Sequence, residues 1–593
     1  IDATHTIVTI DTLEDLDSDS TTRTCGFTGG TFVAAADGKC TFRRALVEAI
    51  ARPQADRPIT ITFNLPPSAV SSLGTWTIPI EDTLPPLDPD NGTNGGVLVT
   101  NSNVHIDGNT QTGGRTDGPK IILQTNEFSL LVQSDNNDIR NLAFQGGGTI
   151  ALDGDNNVVT GVWMGLSEDG QEVVFRTGQP MRMAGGGITM RGDNNLVEEN
   201  VLTGTFANAV FIDGGDNNTV QNNLIGTRAD GTVPDVPALS LCARSLDLDL
   251  DSWYGGWGIS LTGSDNKILN NRIAGLHIVQ TANSTPPMAI ESFGARHEIS
   301  GNIIGVDSDG KEVGVCGQGI KISSTDTQVL DNEIIGSRPG FEDDAMTAIM
   351  GSGDTTSFNR VTVRRNIVKD GPGNVYAFGP AVNQSLSTFA PAKITGINGT
   401  SVAGTSGDGS PCPGCIIDFY LDDVDNIGEA LEYLGTTTAD AEGNFTFTLP
   451  QVLASGTGIR TNSTSQSSGV IPNYGAGTTT RTSKLYMALS SIEITGPMSG
   501  TVGESYAYTF TVRPEDVPTP LDYIVSATDK TDSTLNDTTT TVTTITYQWN
   551  TPGVKTIAVT VKDELNTITE TLEVTIAPPP QTDSLMYMPK LEK

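Results

Sequence analysis

The chain has 593 residues, 66 of them glycine, with 34 Lys+Arg against 70 Asp+Glu and a formal net charge of −36. That length exceeds one ordinary core and predicts several domains. A hydrophobic content of 36% with 18% charged residues excludes a disordered chain, a coiled coil and a helical repeat, and predicts an all-β protein. So acidic a surface repels phosphate backbones, which excludes nucleic acid and leaves cations such as Ca²⁺ as the neutralising partner.

No run of about 18 apolar residues occurs, so no transmembrane segment is expected. The sequence opens at Ile1 in a strand-like alternation, which predicts an exported product whose signal peptide has been removed. Cysteine usage agrees with export: Cys25 is expected to pair with Cys40 and Cys412 with Cys415, leaving Cys242 and Cys316 for each other. Cys412-Pro-Gly-Cys415 lacks a second such pair and a βαβ context, so it reads as a loop staple.

In chain order, residues 1–60 are expected to hold an N-terminal strand, Thr6–Ile10, and a helical cap. Within 41–50, Phe42, Ala45, Leu46, Ala49 and Ile50 share one helix face. Such a lid is needed because an open coil would add strands indefinitely. Asp15, Asp17 and Asp19 have a Ca²⁺-like spacing, without the Gly and terminal Glu of an EF-hand.

A repeat dominates 61–385: apolar alternation, a polar corner such as Asp-Asn-Asn, apolar alternation, Asn, a β-branched pair and Gly. Copies fall at 130–146, 150–165, 188–204, 210–226, 259–275, 290–305, 320–336 and 348–371. The shortest step between corners, Asp135 to Asp155, is 20 residues, the rung of a parallel β-helix with insertions elsewhere. Leu142, Val159, Val197, Val220, Ile268, Ile299 and Val329 are expected to point inward, and Asn222, Asn270 and Asn332 to form an Asn ladder. The corner residues Asp193, Asp216, Asp265 and Asp326 read as turn chemistry, because Asx side chains bond their own backbone and tolerate left-handed geometry.

The segments Cys40-Thr-Phe-Arg-Arg-Ala-Leu, Ile61-Thr-Phe-Asn-Leu-Pro, Ile106-Asp-Gly-Asn-Thr-Gln, Ile225-Gly-Thr-Arg-Ala-Asp-Gly and Ile304-Gly-Val-Asp-Ser-Asp-Gly resemble a family of secreted bacterial β-helix proteins opened by a C-S-L-R-E-A-I motif. Phe42 and Arg44 depart from that motif. The resemblance, over about residues 5–380, implies export and a right-handed parallel β-helix, and no agreed activity.

The insertion at 246–257 alternates Asp247, Asp249 and Asp251 with Leu, which puts three carboxylates on one strand face where they could hold Ca²⁺. Trp253, Tyr254 and Trp257 follow and could stack on sugar rings; the competing reading is a solvated edge with buried aromatics. No other cofactor is expected. The four histidines, at 5, 105, 277 and 297, lie in no Gly-His-Gly, and the acid/base set of a polysaccharide hydrolase or lyase is unrecognisable. His297 reads as structural.

Beyond the repeat, 388–488 predicts an Ig-like β-sandwich. Residues 490–577, with Tyr506, Tyr508, Phe510 and Val512 in alternation and a late hairpin resembling a PKD-type module, predict a second. Pro578-Pro-Pro stiffens a linker into the tail 578–593. The fold class expected is thus all-β, a right-handed parallel β-helix followed by two Ig-like sandwiches. The function expected is an extracellular structural protein, not an enzyme, that self-associates head to tail into a surface fibre, filament or sheath. Ile7 and Ile10 of the N-terminal strand and Leu585 and Tyr587 of the tail would make the contact by strand addition. A carbohydrate-binding adhesin with glycan partners ranks second, and a polysaccharide lyase or hydrolase third.

Overall fold

The computed structural model describes residues 6–580 except 15–24, 26, 29–30, 33–38, 53, 81–83, 85–102, 126–128, 175–185, 206–207, 236–255, 277–287, 339–347, 354–356, 372, 380–381, 383–385, 387, 410, 424, 426, 455, 469–474, 488, 490, 514–516, 518–519 and 564–566. Three long parallel sheets form the faces of a β-helix. One has eleven strands, from Thr6–Ile10 to Thr362–Arg364; one has ten, from Trp76–Ile80 to Ile367–Lys369; one has nine, from Ser129–Val132 to Tyr376–Phe378. At about 4.8 Å per strand the stack is roughly 50 Å long, and the crossover rule for parallel strands makes it right-handed. The first strand comes from within 1–60: Thr6–Ile10 pairs in parallel with Ile59–Phe63, and the cap helix sits between them in sequence.

The core follows from β-branched side chains stacked in register. Val8, Ile61, Ile106, Ile139, Val159, Val197, Val220, Ile268, Ile299, Val329 and Val363 form one inward column of the eleven-stranded sheet, all buried. All seven residues expected inward are buried, but Leu142 belongs to the ten-stranded sheet and Ile139 holds its place in this column.

Each letter of the repeated Gly-Asp-Asn-Asn corner has a separate task. A Cβ on Gly192 would lie 2.0 Å from the Gly154 carbonyl oxygen of the coil below, so only glycine fits there. Asp155 accepts the Asp193 N–H at 2.7 Å, and Asp193 accepts the Asp216 N–H at 2.7 Å. Asn156, Asn194 and Asn217 take left-handed φ of 56–58°, where Asx is tolerated. Finally Asn157, Asn195 and Asn218 form a buried ladder, each amide oxygen accepting the N–H of the ladder residue one coil earlier, at 2.8 Å.

A second ladder, Asn200, Asn223, Asn271, Asn302, Asn332 and Asn366, repeats this bond at 3.0 Å five times. Of the residues expected to form it, only Asn332 does. Asn222 and Asn270 take left-handed φ of 56° and 54°, one position before the ladder. Asp265 and Asp326 are displaced the same way: they occupy the left-handed position held by Asn217 rather than that of Asp216. Asn-Asn pairs make the two roles indistinguishable in sequence.

Both ends of the stack are closed. The helix Phe42–Ala51, capped by the Thr41 hydroxyl accepting the Arg44 N–H, buries Phe42, Ala45, Leu46 and Ala49 beside the first strand, with Ile50 half-buried. The Cys25–Cys40 disulfide ties down its approach. At the other end the last strand of every sheet is met by the following domain. Val368 and Ala430 exchange backbone bonds, Thr479 N–H donates to Val361 O, and Thr482 N–H to Tyr376 O. The Arg364 guanidinium grips the fully buried Asp418 carboxylate with bonds of 2.6 and 2.7 Å.

That domain is an Ig-like sandwich of two three-stranded sheets, Lys393–Asn398, Ser401–Thr405 and Asn444–Thr448 against Glu432–Thr438, Ile416–Asp423 and Thr457–Thr464. Its Cys412–Cys415 disulfide and Tyr420 belong to the same apolar cluster as the β-helix core. A second sandwich pairs a three-stranded and a five-stranded sheet around Tyr508, Phe510, Tyr523, Trp549 and Val559, with a core of its own.

Replacing Arg364 with Ala leaves the buried Asp418 charge without its cation, with the Tyr433 hydroxyl still donating at 3.1 Å, and is expected to cost about 3–5 kcal/mol in urea unfolding. His297 stands where the first ladder would have Asn: its Nδ1 accepts the Asn266 N–H at 3.2 Å and its Nε2–H meets Phe293 O at 2.6 Å. Burial, partly offset by the Phe293 bond, holds its pKa below 6.5. The unfolded chain therefore binds a proton that the folded chain refuses, and stability falls as pH drops below about 6.5. His297→Asn restores the ladder chemistry, so its melting temperature is expected to fall less than wild type between pH 8 and pH 5.

Candidate functional site

Asp15, Asp17, Asp19, Cys242, Asp247, Asp249, Asp251, Trp253, Tyr254, Leu585 and Tyr587 lie outside the described residues. Trp257 is half-buried in the strand Trp257–Leu261, paired with Asn208 of the coil below. Cys316 is buried and disulfide-bonded. Ile7 and Ile10 are not a detached connector. Their strand is used by Ile59–Phe63 of the same chain, and Ile10 is fully buried, because an apolar alternating strand finds its nearest edge in its own first coil.

Two polar clusters stand out, neither singled out by sequence. The first lies where the first sandwich meets the last coil. Asp422, Asp423 and Glu429 bring carboxylate oxygens within 4.8 Å of one another. The strand Ile416–Asp423 supplies the two aspartates, and Glu429 is placed by the adjoining Val368–Ala430 bridge. Asp422 is fully buried and ion-paired with Arg460; Glu429 is buried and accepts the Asp370 N–H of the last coil. Burial raises the Asp422 carboxyl against the pull of Arg460. Burial also pushes Glu429 up to about 7; the Asp370 N–H opposes the shift and the charges of Asp425, Asp422 and Asp370 add to it. The all-oxygen donor set suits a hard cation such as Ca²⁺, although Arg460 already supplies one positive charge. The alternation Asp422-Asp423-Val424-Asp425 followed by Gly428-Glu429 was the available sequence signal.

The second cluster is a surface groove of about 220 Å³ on the eleven-stranded sheet, lined by Thr60, His105, Asp107, Thr110, Asp138 and Arg140. Parallel register stacks Thr60, His105 and Asp138 on adjacent strands, and Asp107 beside Arg140. Arg140 Nε bonds both Asp138 oxygens at 2.6 Å, and His105 Nδ1 lies 3.4 Å from Asp138. Burial raises the Asp138 carboxyl, but bonds from His105 and Arg140 outweigh it and hold the group below the usual carboxylate range. Asp107 is fixed by the Asn109 N–H and the Asn141 amide, both at 2.9 Å.

No family model and no characterised relative matches the sequence. Among solved structures, the enzymatically active domain of bacteriophage CBA120 tailspike protein 2 aligns at 8% identity and TM-score 0.27, over 71% of this chain and 72% of that one. The full-length tailspike protein 2 aligns at 9% and 0.26, over 77% and 67%. Red sea bream transglutaminase aligns at 11% and 0.15, over 32% of this chain, which spans 31% of that protein. At these scores the alignments assign neither family nor activity.

Glu429 ionises near 4.5 when unfolded and near 7 when folded. Between those values the folded chain keeps a proton the unfolded chain has lost, so this stabilisation is full below about 4.5 and is lost as pH rises through 7. Glu429→Gln keeps an acceptor for the Asp370 N–H and cannot ionise. Its thermal midpoint is expected to match wild type at pH 5 and exceed it at pH 8.

Proposed function

We propose that this protein is an extracellular structural rod, a subunit of a cell-surface fibre or sheath. The observation that carries the reading is unbroken bonding from Thr6–Ile10, through the coils, into the first sandwich by way of Arg364–Asp418. Two ladders of buried amides along the stack and a polar, hydrogen-bonded junction make one stiff body rather than beads on a string. The disulfides Cys25–Cys40 and Cys412–Cys415 support export into an oxidising environment. With a helix over one end of the stack and a sandwich over the other, copies do not extend coil upon coil. Contacts between copies then fall to side loops, the sandwiches and the tail 578–593.

Carbohydrate binding is the second reading, favoured by the His105 groove. Its convergent acceptors and the Arg140 donor suit sugar hydroxyls. Catalysis on acidic glycans is not part of either reading. A charge of −36 repels polyanions, and Asp138, held ionised by His105 and Arg140, is unable to donate a proton to a leaving group.

Negative-stain images of native material are expected to contain filaments or sheets, and no product is expected from pectin or alginate. Isolated rods at every concentration, with glycan binding lost in Arg140→Ala, would replace the structural reading by the adhesin. Turnover abolished by Asp138→Asn would replace both.

A further inference from the structure

An acidic protein of charge −36 keeps its own copies apart, so a surface where two copies can approach must lack charge. The second sandwich has such a surface at one sheet edge. Its three-stranded sheet runs in the order Ser491–Thr495, Ser505–Arg513, Val542–Gln548, which leaves Val542–Gln548 outermost among the described residues. No charged residue occurs from Thr538 to Val554.

The other edges of this sandwich carry protective features. Ser491–Thr495 bears Glu493, ion-paired to Arg513. Ser533–Thr538 bears Asp537 at a left-handed φ of 53° and pairs with Leu521–Ala527 through an irregular register. Ser499–Thr501 is only three residues long. Val542–Gln548 has seven residues, no proline, no charge, and an unshifted register from Val542 opposite Thr511 to Gln548 opposite Ser505.

The hydrogen-bond phase of this strand is fixed. Val512 N–H donates to Thr541 O, and these two residues stand opposite each other. In an antiparallel ladder bonded pairs alternate, so Thr543, Ile545 and Tyr547 bond inward, and Val542, Thr544, Thr546 and Gln548 turn their N–H and C=O toward the outer edge, where Val542 O also accepts the Thr540 hydroxyl at 3.0 Å. Antiparallel pairing of the strand with its own copy about a two-fold axis at Ile545 sets Thr544 opposite Thr546 and Val542 opposite Gln548. Those are the residues whose backbone groups point outward, so the phase is self-complementary. About eight backbone hydrogen bonds would form, with no like charges opposed. Thr-Thr pairing is already used within the sheet, where the Thr509 and Thr544 hydroxyls lie 3.0 Å apart.

We infer that two copies of this chain pair through the Val542–Gln548 edges of their second sandwiches, joining two three-stranded sheets into one continuous sheet across a two-fold axis. The contact is isologous and closes on itself, so it makes a dimer and is independent of how rods would extend into a fibre.

Sedimentation velocity of the full chain tests it, beside two variants. Thr544→Pro removes an outward N–H and the Thr509 hydroxyl contact without touching an inward backbone bond, and Thr546→Lys places like charges near the axis while leaving the backbone whole. Wild type is expected to sediment as a concentration-dependent dimer and both variants as monomers with unchanged melting; hydrogen-exchange protection is expected to fall at the Thr546 amide in Thr544→Pro and at the Thr544 amide in Thr546→Lys. A wild-type chain that stays monomeric overturns the inference. So does a dimer that persists in Thr546→Lys, which also covers the case of Thr544→Pro failing to fold. Filaments without this dimer would leave the structural reading standing and the edge contact refuted.

Discussion

Everything in the β-helix depends on one bond, a side-chain oxygen accepting the backbone N–H of a corner in the neighbouring coil. A corner is where a strand stops pairing, so its peptide groups would be buried without partners, and each orphan costs on the order of 1–3 kcal/mol. Asn157, Asn195 and Asn218 meet that need at one corner, and Asn223, Asn271 and Asn302 at another. The aspartate bonds beside the first ladder run the other way, each carboxylate accepting from the coil above. With both directions bonded, a coil cannot slide against either neighbour without losing several buried bonds, and the β-branched column can stay in register.

The same accounting explains the ends. An outermost strand has a row of unmet backbone groups, and each end meets them differently. A helix covers the first strand, where Asp11 N–H donates to Cys40 O and the Asp11 carboxylate accepts the Cys40 N–H. The last coil uses a whole domain, because three strands end there and each needs a partner. Cys412, Cys415, Tyr420 and Ala430 thereby join the β-helix core, and the first sandwich is the β-helix cap as much as a domain. At this junction Arg364 and Asp418 match as a bidentate pair, while burial raises the carboxyl of Glu429.

Much of this was legible in the sequence, where chemistry and period coincide. Alternating Val and Ile marked the interior, Gly-Asp-Asn-Asn the corners, and 41–50 the lid. Legibility ended where two adjacent residues of one type divide two tasks. Nothing in Asn222-Asn223 says which is left-handed and which is stacked. It ended too where partners are remote: Arg364 and Asp418 lie 54 residues apart, so the closing of the last coil left no local trace. His297 appeared as a lone imidazole, and only the stack shows it replacing an Asn. The groove of His105, Asp138 and Arg140 exists because parallel register places residues 33 apart side by side, which no linear motif records.

Ladder partners are separated by 20, 38, 23 and 48 residues along the first ladder, yet the bond length barely changes, at 2.7–2.8 Å. Extra residues between two corners therefore leave the ladder bond unchanged. The rod's length counts coils and not amino acids, and its flank is a series of independent mounting points at fixed heights. Such a scaffold can exchange one side loop for another, in composition or size, while the distance between its two capped ends stays the same.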